Sequence, residues 1–363
     1  MKRIRVGIIG QGRSGRNIHR FLIDTMPEIH ERFEIVGIAD PIVERHDYPN
    51  AISVSPDFKA YTDYKEMLKD KSIELIVNST MSKDHIPVSI EAMEAGFNVL
   101  CEKPLARTVA DVDKVIEVSK RTGKYFAVFQ QSRFRHLFTK TLEIMNSGVL
   151  GKIIMVKIAY TGNKRRWDWQ TIQDMCAGEL LNTGPHPLDQ ALVFYGNADP
   201  ERIFCQMACA KTLGDAEDHV KLILAGEGHP TIDMEISNCH MFPGANYEIY
   251  GTLGGLTAKG AELKWKYCKA EELPKRELVK TPLMGENKKP IYCSEKVSYY
   301  EESCTLPETV LGMEAWGSIY YKQLYAALTE GKPMDVTLEQ VRRQIMVIEE
   351  CHKQNPLPKT VEI

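Results

Sequence analysis

Arg5-Val6-Gly7-Ile8-Ile9-Gly10-Gln11-Gly12-Arg13-Ser14-Gly15-Arg16-Asn17-Ile18-His19 reads as a buried strand that turns sharply into a helix. Three glycines mark the turn. Gly10 permits the tight bend. Gly12 lacks a side chain, so a pyrophosphate can approach its backbone. Gly15 lets the helix pack closely on the strand. The helix start then offers free N–H groups and partial positive charge to phosphates. A second apolar run, Glu34-Ile35-Val36-Gly37-Ile38-Ala39, ends in Asp40. That acid lies 25 positions after Gly15, near the spacing of about 20 for a carboxylate on an adenine-ribose diol. The bare glycine pattern also occurs in turns that hold no nucleotide. The strand before it, the helix after it and the acid beyond favour a dinucleotide. The cofactor-loop candidates are Gly10, Gln11, Gly12, Arg13, Ser14, Gly15 and Asp40. Asp40 favours NAD over NADP, since its charge repels a 2′-phosphate; Arg13 and Arg45, otherwise ordinary surface positions, pull the other way.

Working outward, residues 1 to about 125 alternate strand-like runs (4–9, 34–39, 74–79, 97–101, 125–130) with helical patterns (15–25, 62–69, 84–95, 108–122). That alternation predicts a doubly wound parallel sheet. Gly96 suits a helix C′ position, and Thr108 with Asp111 a capping box. Ligands of such sheets bind beyond the carboxyl ends of the strands. There the chain places the glycine turn, Thr80-Met81-Ser82 and Cys101-Glu102-Lys103-Pro104. Most lysines after a strand are solvated surface cations. Lys103 lies between an acid and a proline that restricts it to extended geometry.

Gly96-Phe97-Asn98-Val99-Leu100-Cys101-Glu102-Lys103-Pro104-Leu105 resembles the AGxxVxxEKPL signature of the Gfo/Idh/MocA family of sugar and inositol dehydrogenases. Thr80 to His85 resembles that family's TPxxxH segment, with Met81 in place of proline. The resemblance implies a Rossmann domain followed by an α+β domain with a large, mostly antiparallel open sheet. It adds Thr80, Met81, His85, Glu102 and Lys103 to the cofactor-side candidates.

From about 126 the pattern changes. A helix is predicted over 133–147, a long strand over 152–161, and strands near 201–211, 217–226, 229–239, 245–251, 255–260 and 262–268. Residues 270–305 read as irregular: a lid, an oligomer arm or a plain surface excursion. Helices over 307–330 and 337–353 close the chain. The expected domains are therefore 1–125 and 126–363.

The chemistry of this half lies in Gly178-Glu179-Leu180-Leu181-Asn182-Thr183-Gly184-Pro185-His186-Pro187-Leu188-Asp189-Gln190. Pro185 suits a helix start. On one continuous helix, Asn182, His186 and Asp189 share a face. A lone helical histidine is usually structural, but an amide and an acid in the same segment shift that balance. The segment resembles the family's GGGxLxDxGxHxxD motif, whose final histidine is the acid/base. That implies His186 as proton carrier and Lys103 as the group polarising the hydroxyl. The central acid of the motif is here Asn182, which can orient a hydroxyl but not take its proton. Arg165-Arg166-Trp167-Asp168-Trp169-Gln170 mixes indole faces with polar groups, as sugar sites do; a packed loop with solvated charges reads equally well. Substrate-side candidates are Asn182, Asp189, Arg133, Tyr160, Arg166, Trp167 and Trp169.

Composition fits this picture. A chain of 363 residues can bury about 75% of its unfolded surface without disulfide or metal. The formal charge of −3 offers no nucleic-acid footprint and no polybasic membrane contact. The nine cysteines are scattered without a Cys-x-x-Cys pair, His219, His229 and His240 are too dispersed for zinc, and no apolar run approaches a membrane span. The expectation is a cytoplasmic, metal-free NAD-dependent oxidoreductase. It would act between a ring hydroxyl and ketone of a sugar, polyol or glycoside. The family resemblance also implies that the open face of the second sheet is covered in a homo-oligomer, a dimer or tetramer, since an exposed apolar sheet face would aggregate. Two other readings stay open: a glycoside-processing enzyme that retains its NAD and returns the hydride, and a regulator that binds without turnover.

Overall fold

The computed structural model describes residues 2–47, 51–293 and 295–363. Its first layer is built from β1 (Ile4–Ile9), β2 (Phe33–Ala39), β3 (Lys59–Tyr61), β4 (Leu75–Asn78), β5 (Asn98–Cys101) and β6 (Phe126–Val128), all parallel, in the order β3-β2-β1-β4-β5-β6. The expected strands are present with edges trimmed. The three-residue β3 is an addition: Lys59-Ala60-Tyr61 lies at the sheet edge, mostly exposed, and carries no apolar signal.

Between the strands run α1 (Phe21–Thr25), α2 (Pro27–His30), α3 (Tyr64–Met67), α4 (His85–Glu94) and α5 (Val109–Thr122). A π-helical turn, Gly15–Arg20, leads into α1. Thr108 caps α5, its hydroxyl accepting from Asp111 N and donating to the Asp111 carboxylate. Gly96 and Gly123 take left-handed φ after α4 and α5.

The second layer follows α6 (His136–Asn146). Its sheet joins β7 (Ile153–Thr161), β8 (Arg202–Ala208), β9 (His219–Ala225), β10 (Thr231–Ser237), β11 (Tyr247–Gly251), β12 (Gly254–Lys259) and β13 (Glu262–Tyr267). A two-stranded hairpin, β14 (Leu283–Met284) and β15 (Pro290–Ile291), precedes the edge strand β16 (Tyr300–Thr305). The order is β16-β13-β12-β11-β7-β10-β9-β8, antiparallel except for β7 with β10. β16 corrects the expectation that 270–305 is wholly irregular. An exposed edge strand buries neither face and shows no alternation.

Two short helices, α7 (Glu179–Asn182) and α8 (Pro185–Tyr195), enter the second domain, and α9 (Met313–Glu330) and α10 (Leu338–Gln354) close the chain. One core runs from the α4/α5 side of the first sheet through α8 and α10 to the inner face of the second. The other lies beneath α1 and α2 and is sealed by Trp316, Tyr320, Tyr321 and Tyr325 of α9. The first sheet thus takes in β6, beyond 125, and is covered by a helix from the end of the chain.

The outward face of the second sheet sets paired charges beside apolar groups. Lys157 lies opposite Asp233 and Glu248, and Lys221 opposite Glu235, with Lys221 ion-paired to both acids of β10. Phe204, opposite Ile223, and Tyr250 share this face and are exposed there. Among the described residues no helix is long and apolar enough to cross a membrane.

Candidate active site

The glycine turn is fixed by its backbone. Gly10 has φ +85°, and a Cβ there would lie 2.5 Å from Ser79 O; a Cβ on Gly15 would lie 1.8 Å from Gly10 O. At Gly12 a Cβ meets nothing within 4 Å. Two glycines are thus required by packing, and the third leaves a cradle open above the backbone, which fits a dinucleotide phosphate. Asp40, buried at the end of β2, accepts from Gln11 N at 2.7 Å and Ile42 N at 2.9 Å. Arg45 Nη1 stands 3.6 Å from the same carboxylate. Ser14 is half-buried beside the exposed Arg13.

The other cofactor-side candidates divide into an open pair and a bracing pair. Thr80 bonds the Asn78 side chain at 2.7 Å, and Met81 is 43% exposed at the rim. His85 is buried, its ring nitrogens 2.7 Å from Pro104 O and 3.2 Å from Thr80 O. It ties the loop after β5 to the loop after β4. Burial holds its pKa below the ordinary value. Glu102 is also buried and faces inward. Its Oε1 meets His19 Nε2 at 3.1 Å, its Oε2 accepts from Lys103 N at 3.0 Å, and His19 Nδ1 meets the Tyr321 hydroxyl at 2.7 Å. Burial opposes ionisation of Glu102, but the bond from His19 and the nearby positive charges outweigh it and keep the carboxyl below its usual range. The chain Glu102–His19–Tyr321 therefore anchors the segment that carries Lys103.

Lys103 follows β5 through a cis bond to Pro104. Its Nζ donates to Asn182 O at 2.9 Å. Burial lowers its pKa; Glu102 pushes back, and Arg13 adds to the fall. His186 lies in the first turn of α8, with Nδ1 buried and unpartnered. Burial, then the charges of Lys103 and Arg135, hold its pKa well below 6.5. At neutral pH its favoured form is the uncharged imidazole, which can accept a proton.

Asn182, His186 and Asp189 do not share one continuous helix. α7 ends at Asn182, and α8 begins afresh at Pro185. Pro185 has no N–H to continue the ladder, and a Cβ on Gly184 would lie 2.1 Å from Leu180 O. Asn182 Nδ2 donates to Gln170 O at 2.9 Å, and its Oδ1 is buried without a partner. Asp189 and Arg133 meet one another in a two-pronged ion pair at 2.5 and 2.6 Å. Tyr160 donates to Gln190 Oε1 at 3.1 Å, and Tyr247 to the same oxygen at 2.7 Å. Arg166 folds onto Asp168 and Gln170. Trp167 is 74% exposed, while Trp169 opens a short 3₁₀ turn and is half-buried.

Several groups in this arrangement carry no local signal. Glu217 accepts from Leu180 N at 3.0 Å, and a Cβ on Gly178 would strike its carboxylate. Gln344 donates to Pro185 O and accepts from Gln130, both at 2.6 Å. Arg135 sends its charge toward both Lys103 and His186. The basic cluster Arg133-Phe134-Arg135-His136, just past the end of β6, was the only available hint of it.

The model of the oxidoreductase family with an NAD-binding Rossmann fold matches residues 4–130, and that of the GFO/IDH/MocA C-terminal domain matches 138–257. The chain belongs to the Gfo/Idh/MocA oxidoreductase family. Among its relatives, the scyllo-inositol 2-dehydrogenase (NADP(+)) IolW of Bacillus subtilis is 22% identical over 99% of this chain and 95% of its own. The inositol 2-dehydrogenase of Salmonella typhimurium is 30% identical over 42% of this chain and 44% of its own. In fold, an oxidoreductase from Thermotoga maritima superposes with a TM-score of 0.77 over 97% of both chains at 18% identity. An NAD-binding protein from Listeria innocua gives 0.75 over 98% of this chain and 97% of its own, at 20% identity.

Proposed function

We propose that this family member is an NAD-dependent dehydrogenase acting on a ring secondary hydroxyl of a sugar, polyol or glycoside. The observation that carries the reading is the pairing of Lys103 and His186. Lys103 follows the carboxyl end of β5, in the sheet that carries the open glycine turn, and is held on Asn182 O; His186 opens α8 four residues beyond Asn182, with its pKa lowered by burial and then by Lys103. The inositol 2-dehydrogenase names of two relatives support a polyol-like substrate.

Residues Gly10 to Gly15 would hold the pyrophosphate, Asp40 the adenine-ribose diol, and the Thr80–Met81 and Glu102–Lys103 segments the nicotinamide half. A bound nicotinamide supplies the hydride acceptor. The chain's own work is with the proton. Lys103 donates to the hydroxyl oxygen and stabilises the negative charge that develops there. His186 takes the hydroxyl proton on Nε2, the ring nitrogen that is not buried, and returns it when a ketone is reduced. Asn182 cannot share that proton, so His186 carries it alone. Asp40 supports NAD. Arg45 beside it and the NADP named for IolW make both nucleotides necessary arms of the test.

The test follows reduced-nicotinamide absorbance with NAD and, separately, NADP against hexoses, inositols, sugar acids and glycosides. Growth of signal with one class, lost in Lys103→Ala and His186→Ala, is the expected result. No signal with any class, from protein that binds nucleotide, would overturn the dehydrogenase reading.

A further inference from the structure

The reacting end of the cleft is short of free negative charge. Glu102 is engaged by His19 and Lys103 N. Glu179 accepts from Thr183 Oγ1 and from Asn238 Nδ2. Asp189 is taken by Arg133. The central acid of the motif is replaced by Asn182. Among the described residues, neither Lys103 nor Arg135 has a carboxylate within ion-pair distance, although 27 such pairs occur elsewhere.

Arg135 is the less expected of the two. It stands at the junction between the 3₁₀ turn after β6 and the start of α6. Its guanidinium lies 4.6 Å from the ring centroid of Trp316 and 5.8 Å from that of Tyr160. Nε is buried without a partner, and Nη1 has only a long 3.4 Å bond to the Tyr160 hydroxyl. Arg carries five N–H donors in a planar fork that matches a carboxylate. A buried guanidinium N–H without a partner carries a desolvation cost that a carboxylate drawn to the same fork would offset. Trp316 and Tyr160 fix its plane, so the fork is already oriented for a partner. The Tyr160 hydroxyl meets both Arg135 and Gln190, and Gln190 lies one turn beyond His186 on α8, which places such a partner near the reacting hydroxyl.

We propose that Arg135 selects an anionic substrate, a sugar or polyol bearing a carboxylate, such as a hexuronic or aldonic acid. The carboxylate lies against the Arg135 fork while the reacting hydroxyl lies at Lys103 and His186. This rests on the dehydrogenase reading given above and narrows its substrate class. Arg135 touches substrate through charge and takes no part in the proton transfer.

Calorimetry on protein saturated with NADH tests this without turnover, because a hydroxyl substrate cannot react with the reduced cofactor. D-glucuronate, D-galacturonate and D-gluconate are each titrated beside D-glucose, D-galactose and D-glucitol, with D-glucose 6-phosphate as the other anion. The expected result is at least one acid bound about tenfold or more tighter than its neutral parent, the preference shrinking as salt rises. Arg135→Gln should erase the preference and Arg135→Lys keep part of it, with NADH affinity unchanged in both as the check on folding. Equal or absent binding of acids and neutral parents, or a preference that survives in Arg135→Gln, would overturn the proposal. Tighter binding of the phosphate than of every acid would overturn the carboxylate assignment. The absorbance assay is separate: failure to oxidise any compound sinks the dehydrogenase reading, while calorimetry still decides Arg135.

Discussion

Two glycine-bearing turns build the candidate site, and they are held in different ways. The turn from Gly10 to Gly15 is held by the strand ends beside it: Gly10 N donates to Ala39 O, Ser79 Oγ to Gly10 O and Gln11 N to the Asp40 carboxylate, while Ser79 O and Gly10 O leave no room for a Cβ at Gly10 and Gly15. The turn from Gly178 to His186 is fixed by side chains far along the chain: Glu217 on Leu180 N and Gln344 on Pro185 O. The first needs only the neighbouring strand ends of its own parallel sheet. The second exists only once the second sheet and α10 are in place. The two turns should therefore fail differently when disturbed.

The sharpest separation comes from one substitution in each. His186→Ala removes the only proton acceptor proposed, so kcat/KM should fall by about 10²–10⁴-fold while NADH affinity stays within about twofold. Gly15→Ala drives a methyl into Gly10 O. NADH affinity should fall by roughly a hundredfold, the scale of 2–3 kcal/mol of overpacking. Fluorescence titration with NADH and absorbance kinetics on both variants check this. Loss of nucleotide binding in His186→Ala would show that the two turns are not independent.

A subtler break is Gly178→Ala. Gly178 has φ +114°, and the added Cβ would lie 2.3 Å from Glu217 Oε1. Backbone strain of this kind costs about 1–3 kcal/mol. Relief would move α7, and with it Asn182 O, the acceptor that holds Lys103 Nζ. Displacements near 1 Å can cost up to about 10²-fold, so kcat/KM should drop about ten- to a hundredfold. NADH binding, measured beside it, should be unchanged. Equal loss in both would mean that the second turn supports the nucleotide site as well.

These differences explain what could be read in advance. The parallel sheet, its glycine turn and the places of Asp40, Lys103 and His186 at strand and helix ends are legible because each lies within a short contiguous motif. The shared face of Asn182, His186 and Asp189 was misread. Helical spacing carries no sign that Pro185 and Gly184 restart the helix. Arg133 and Asp189 each looked available for a substrate, but 56 residues apart they find one another. Glu217 and Gln344 give no pattern because their roles arise from packing between elements distant in sequence, and Arg135 shows only as one member of a basic cluster. β16 was missed because an edge strand exposed on both faces has no periodicity to detect.

Asp40→Asn sharpens the first turn. The amide keeps an acceptor for Gln11 N but removes the charge that repels a 2′-phosphate, and it frees Arg45 from its counter-ion. The ratio of NAD to NADP efficiency should fall about tenfold, as steady-state kinetics with both nucleotides will show. An unchanged ratio would remove Asp40 from cofactor selection.

The smallest expected effects follow from pH, and they also separate the two regions. Burial and the neighbouring charges hold His186 well below 6.5, so the acid limb of kcat/KM for oxidation should fall below pH 6.5. Glu217, beneath the second turn, is pushed by burial from 4.5 up to about 7. A carboxyl with a raised folded pKa binds its proton more tightly in the folded state. Its contribution to stability is thus full below pH 4.5 and is lost as pH rises through 7. Glu217→Gln keeps an acceptor for Leu180 N and cannot ionise. Relative to the native protein, the variant should gain stability on going from pH 5 to pH 8, by about 2–5 °C in Tm for a domain of this size. Thermal melts at both pH values measure it. If the native and Glu217→Gln melts run parallel across that range, the proton is not held at Glu217. The second turn would then rest on hydrogen-bond geometry alone.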